Sequence, residues 1–203
     1  MPYLAVVMPA IPEAHKDEFL AHWPTIAAQM TALPMVLGVS GGPVVGEDGA
    51  AVTEFKFLQT IAFKTLEDEK AFADSDFAKD GAKKYAERSG GAPPKHALFE
   101  CADFPKDATP KAFTQFSRMT GLDESKGAEA RKAWEDLMAI LGKESWGGKT
   151  VGDGPPAGMG LVGWDSLEEA GAAYKNPAAK AALDKYHSLS DCKDLMVKME
   201  YFK

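Results

Sequence analysis

The chain has 203 residues, 45% hydrophobic and 26% charged, with a net charge of −7. That length holds one domain or two small ones. Scattered Lys and Arg in an acidic chain weigh against a nucleic-acid or anionic-membrane surface, both of which need clustered basic residues. No apolar run approaches the ~18 residues of a membrane span, and the short apolar stretch after Met1 has no basic leader. Two cysteines, Cys101 and Cys192, make no disulfide framework. A cytoplasmic protein is therefore expected, with no nucleic-acid or membrane partner.

In chain order, Tyr3 to Ile11 is rich in β-formers and ends at Pro12, which predicts a strand followed by a helix start. Phe19, Trp23, Ile26, Ala27 and Met30 recur at helical spacing, with Pro24 inside the stripe as a predicted kink. Met35 to Val45 reads as a second strand, and its glycines suggest a bulge or bend. Phe55 to Phe63 alternates as a third strand. One helix is expected from Leu66 to about Ser89, then a breaker, Gly90-Gly91-Ala92-Pro93-Pro94, and a fourth strand from His96 to Ala102. After the linker Phe104 to Pro110, the order returns. Ala112 to Met119 is a strand, Gly127 to Leu141 a helix, and Ser145 to Val151 and Gly158 to Trp164 are strands. A helix from Leu167 is interrupted at Asn176-Pro177 and resumes from Ala178 to about Leu189. Leu195 to Phe202 is the last strand.

The two halves also share local signals. Phe63-Lys64-Thr65-Leu66-Glu67-Asp68 and Trp164-Asp165-Ser166-Leu167-Glu168-Glu169 each place a hydroxyl at a helix N-cap, with a carboxylate three residues on. In that capping box each side chain satisfies the other residue's backbone N–H. Glu is the usual partner, so Ser166 is expected to be the stronger copy. Trp23 and Trp134 align, as do Glu100 and Glu200. Each half is thus a β-α-β-β-α-β ferredoxin-like unit, with repeats assigned to residues 1–104 and 111–203. Strands apolar on both faces need cover on both, which predicts an α+β fold whose two antiparallel sheets pack into a barrel within one chain. A monomer with an intrachain barrel, or a weak homodimer, is expected.

This pattern resembles the dimeric α+β barrel superfamily in a tandem-fused form. That superfamily includes antibiotic-biosynthesis-type monooxygenases, polyketide cyclases, stress-responsive barrels and EthD-like proteins. Cyclase and stress-responsive members often carry an aromatic-Ser-φ-Glu start, then a Tyr, then His-Pro-x-His. Here the second half reads Trp164-Asp165-Ser166-Leu167-Glu168, Tyr174 and Asn176-Pro177-Ala178-Ala179. Both histidines are replaced, so that acid/base pair does not carry over. Haem-handling members of the superfamily imply an axial ligand, and none is legible here.

Four histidines remain: His15, His22, His96 and His187. His15 and His22 stand two helical turns apart, ~10 Å, too far for one metal. No metal motif occurs and no cofactor is expected. The candidate catalytic groups are His22, which the Pro24 kink could aim into a cleft, Glu100 and Glu200, which pseudo-symmetry could pair as a base, and Arg118. Trp23, Phe57, Phe63, Trp164 and Tyr174 are candidate substrate-binding walls or plain core. Two functions stand open. One is a cofactor-independent, monooxygenase- or cyclase-like enzyme acting on a hydrophobic aromatic or polyketide-like molecule. The other is a non-catalytic stress-responsive or ligand-binding barrel.

Overall fold

The computed structural model describes residues 1–89, 94–102, 111–121, 123–144, 146–152 and 154–203, without the side chains of Arg88 and Glu124. The first repeat runs β1 (Tyr3–Met8), α1 (Lys16–Thr31), β2 (Gly38–Glu47), β3 (Ala50–Ala51), β4 (Phe57–Phe63), α2 (Leu66–Asp74), α3 (Asp76–Arg88) and β5 (Lys95–Cys101). The second runs β6 (Phe113–Thr120), α4 (Gly127–Leu141), β7 (Trp146–Thr150), β8 (Ala157–Trp164), α5 (Leu167–Ala173), α6 (Pro177–His187), β9 (Asp191–Lys198) and β10 (Glu200–Phe202). The linker, the boundary between the repeats and most of the Gly90–Pro94 breaker lie outside the described residues.

Within each repeat the strands order as β2-β4-β1-β5 and β7-β8-β6-β9. Two antiparallel seams join them: β5 to β7 through Phe99↔Thr150, and β9 to β2 through Val44↔Val197 and Glu47↔Leu195. These eight strands close on themselves, and β10 extends the last strand along β2. Closure removes the open sheet edges that would otherwise invite pairing with another chain. The expected α+β barrel of two ferredoxin-like units is the observed architecture.

Strand alternation sorts the core into three layers. Leu4, Leu58, Phe99, Phe116, Met159 and Val197 fill the barrel interior. Trp23, Ala27, Met30, Phe57 and Phe63 pack under the first repeat's helices, and Trp134, Leu137, Met138, Val162 and Trp164 under the second's. Full burial of one such apolar side chain stabilises by roughly 1.5–3 kcal/mol. The glycines make room for the two aligned tryptophans. A Cβ on Gly41 would sit 2.5 Å from the Trp23 ring, and one on Gly160 only 2.4 Å from Trp134. The predicted irregularity of β2 is a register shift between Val44 and Gly46.

Several boundaries differ from expectation for local reasons. The first strand stops at Met8, and Glu13–His15 forms a 3-10 turn into α1. Helix α1 runs through Pro24 unbroken. The helix expected from Leu66 to Ser89 is two helices, because Ser75 takes an extended conformation and caps α3 by accepting from the Ala78 N–H. Asn176 does the same for α6, with Pro177 as its first residue. The last strand begins at Asp191 rather than Leu195, since Asp191, Cys192, Lys193 and Asp194 pair with Thr120, Met119, Arg118 and Ser117.

The cap ranking is reversed. Thr65 and Asp68 make the full reciprocal box, with backbone-to-side-chain bonds of 3.1 Å each way. Ser166 Oγ accepts from Glu169 N–H at 3.1 Å, but the Glu169 carboxylate turns to the Asp165 N–H and to Lys143. Those two partners hold the Glu169 carboxyl below its ordinary pKa, Lys143 first. Thr65→Ala should therefore cost ~1 kcal/mol, at least as much as Ser166→Ala. Equilibrium unfolding in urea checks the order, and a larger loss at Ser166 would restore the sequence-based ranking.

Candidate functional site

The structure scatters the residues that sequence reasoning singled out. His22 is exposed on α1, and its Nδ1 lies 2.7 Å from the Glu18 carbonyl of its own helix. It does not share a cleft with Trp23, which is 2% exposed and packed edge-on against Phe57 and Phe202. Glu100 and Glu200 are not brought together: three strands, β2, β4 and β1, separate β10 from β5. Glu100 instead faces Lys149 at 3.7 Å, and Glu200 is exposed. Arg118 is exposed on β6, opposite Lys193 and Met159. Phe57, Phe63 and Trp164 are buried as core. The Lys143 ammonium sits 4.6 Å from the Trp164 ring centroid.

Tyr174 leads elsewhere. Its hydroxyl donates to Gln115 Oε1 at 2.9 Å, and Gln115 Nε2 donates to Asp194 Oδ2 at 3.3 Å. His187 Nε2 lies 3.2 Å from the same carboxylate oxygen. Tyr186, next to His187 on α6, is buried near Ser117, whose Oγ has no hydrogen-bond partner. Gln115, Ser117 and Asp194 project from β6 and β9 toward the helices, while Tyr174 comes from the C-terminal cap of α5 and Tyr186 and His187 from α6. Together they form a polar cluster inside an otherwise apolar helix–sheet layer.

The electrostatics follow from that burial. Desolvation pushes both phenols well above the ordinary tyrosine range, so each stays a neutral hydrogen-bond donor. Burial also pushes the Cys192 thiol up to about 12, with Asp194 adding to the shift. His187 moves upward, chiefly through its contact with Asp194, against the opposing effect of burial. Nε2 lies within ion-pair range of the carboxylate but is buried with no hydrogen-bond partner, so Nδ1 is the nitrogen left to exchange a proton. The imidazole side chain keeps 35% of its surface exposed, so this end of the cluster opens to solvent. Asp194 Oδ1 is buried with no hydrogen-bond partner.

The fold does not require this cluster, as the first repeat demonstrates. Leu4 pairs with Ala62, just before Phe63, and Thr114 pairs with Gly163, just before Trp164. By that register Ala5 and Val7 stand where the second repeat has Gln115 and Ser117. His96, opposite Val7, matches Asp194, opposite Ser117. Counting from the matched caps Ser75 and Asn176, Ala86 stands at the place of His187 and Ala73 at that of Tyr174. One copy of the unit therefore folds without these side chains. In the sequence His187 is only one of four histidines, and Asp194 falls just before the expected start of the last strand at Leu195. The pairing Ser117↔Asp194, next to a histidine near a helix end, was the missing signal.

Other chemistry has less support. Among the described residues no group of three or more His, Cys, Asp or Glu could hold a metal ion, and no helix is long and apolar enough to cross a membrane. Two shallow surface depressions, of about 240 and 310 Å³, are lined by residues between Glu47 and Lys56 and by Met1, Tyr3, Lys64, Thr65, Leu66 and Glu67. Neither includes His187 or Asp194. The barrel interior is packed with side chains.

The sequence matches no protein-family profile and no curated protein. Its structure is similar to solved ones. A monooxygenase candidate from Lactobacillus acidophilus NCFM superposes with TM-score 0.67 at 12% identity, over 100% of this chain and 96% of the other. A second monooxygenase candidate, from Fusobacterium nucleatum, gives 0.67 at 8%, over 100% and 94%. An anthrone oxidase-like protein gives 0.64 at 16%, over 98% and 92%. Identities this low speak to architecture alone: the chain shares with these proteins the fold of a closed eight-strand barrel built from two ferredoxin-like repeats in one polypeptide.

Proposed function

We propose that the chain is a small-molecule enzyme of the oxygenase type, acting without a cofactor on a hydrophobic aromatic substrate that carries an acidic C–H. The observation that carries this reading is the His187–Asp194 pair, backed by Gln115 and Tyr174, in one repeat and absent from the other. The names of the structural neighbours, monooxygenase candidates and an anthrone oxidase-like protein, support the reaction class.

In this mechanism Asp194 orients the imidazole, and His187 Nδ1 removes a proton from the substrate carbon. With an anthrone, the resulting enolate passes an electron to dioxygen and the radicals combine, forming a C–O bond to a peroxide. Loss of the second C–H proton with O–O cleavage releases water and leaves a carbonyl. The balance is anthrone plus O₂ giving anthraquinone plus water, with dioxygen the only oxidant. The neutral Tyr174 phenol holds Gln115, and through it the carboxylate, in place.

Oxygen uptake with anthrone as the probe tests the reading. The chain should accelerate uptake over the spontaneous rate, and His187→Gln should lower the enzymatic rate by ~10²–10⁴-fold, the usual contribution of a positioned base. The rate should rise with pH through the raised His187 midpoint, because only the neutral imidazole accepts a proton. Uptake indistinguishable from the spontaneous rate would overturn the proposal. Stability runs the other way. The folded chain holds the His187 proton more tightly than the unfolded one, so that contribution is full below the ordinary histidine value and is lost as pH rises through the raised one.

A further inference from the structure

We infer that Asp48, at the turn between β2 and β3 of the first repeat, is a positioning residue for the His187–Asp194 pair, so that the second repeat's site is completed across the seam. The geometry is reciprocal. The Asp48 N–H donates to the Asp194 carbonyl at 2.9 Å, and the Asp194 N–H donates to Asp48 Oδ1 at 2.8 Å. One residue thus fixes both backbone groups of the residue that orients the histidine. Next to it, Glu47 pairs with Lys193 and Lys56, pinning the same hairpin to β9.

Asp48 does this from a positive φ of 50°, the one such non-glycine residue among those described. Glycine would adopt that conformation at less cost, but it has no carboxylate to offer Asp194. The charges that favour imidazolium come from three elements: Asp194 on β9, in contact at 3.2 Å, and, acting at longer range, Asp48 on the turn and Asp184 on α6. Asp48 therefore acts in two ways, as an acceptor that fixes Asp194 and as a charge that favours imidazolium. Only the activity consequence rests on the function proposed above; the imidazole titration is independent of it.

The test is an NMR titration of the histidine ring protons in the full chain. Asp48→Asn keeps the acceptor and the tolerance for positive φ but removes the charge. It should lower the His187 midpoint, leave His22 unmoved and preserve slow exchange of the Asp194 amide. Asp48→Ala should lower the midpoint and also speed that exchange. Asp184→Asn should lower the midpoint with no effect on the Asp194 amide. An Asp194 amide that exchanges as slowly in Asp48→Ala as in wild type would overturn the inference, as would His187 titrations in both Asp48 variants that superpose on wild type or an equal shift of His22, which marks a global effect. If the midpoint moves as stated while the chain shows no oxygen uptake, the inference stands and the proposed reaction falls.

Discussion

Gly42→Ala should destabilise the chain by more than ~3 kcal/mol, the upper range for overpacking a close-packed site. A Cβ at Gly42 would lie 1.6 Å from the Lys198 carbonyl oxygen and 2.7 Å from its carbonyl carbon. The obstacle is backbone, so no rotamer change relieves it. Lys198 is the last residue of β9, just before the chain continues as β10, and both pair with β2. The clash therefore falls on one of the two seams that close the barrel. Gly158→Ala is the control, since nothing lies within 4 Å of its Cβ position in β8, and it should be near neutral. Urea unfolding of the two variants gives the comparison. Equal midpoints would mean that the seam relaxes freely.

This also shows what the sequence made legible. The repeat was readable because caps, aromatics and turns recur in one order, and barrel closure followed from strands that are apolar on both faces. Thr65, Ser166 and the Asn176-Pro177 break all stand at helix starts, as local chemistry predicted. Ser75 went unread because a single serine between two aspartates is a weaker break signal than Asn-Pro, though it caps a helix in the same way. The candidate site was mostly illegible for a different reason. Gln115, Ser117, His187 and Asp194 meet only through β6–β9 register and the return of α6 over that sheet, and neither leaves a spacing motif. His22 was attractive because a kink at Pro24 could aim it into a cleft, yet α1 runs through Pro24 unbroken; the Glu100–Glu200 pair was attractive because symmetry was imagined as bringing equivalent residues together. Barrel symmetry holds them on separate strands instead.

The second large effect concerns Asp194. Asp194→Ala strands Gln115 Nε2 in a buried layer and removes the charge beside His187, and leaving such a group unpaired costs about 1–3 kcal/mol. Removing the whole network together is different, because replacing all partners by apolar groups can be nearly neutral or stabilising. The first repeat supplies the replacement set. A chain carrying Gln115→Ala, Ser117→Val, His187→Ala and Asp194→His takes the residues found at Ala5, Val7, Ala86 and His96, and Tyr174→Phe is added to remove the hydroxyl that Gln115 held. It should melt no lower than Asp194→Ala alone.

That combined variant is also the most direct test of whether the cluster exists for chemistry rather than folding. Its melting midpoint and its oxygen uptake with anthrone would be measured in the same preparation as wild type. The expected result is a midpoint within a few degrees of wild type, since ~1 kcal/mol corresponds to ~2–4 °C at this size, with uptake reduced at least ~100-fold. A variant that loses its fold, or that folds and still consumes oxygen at the wild-type rate, would contradict the account.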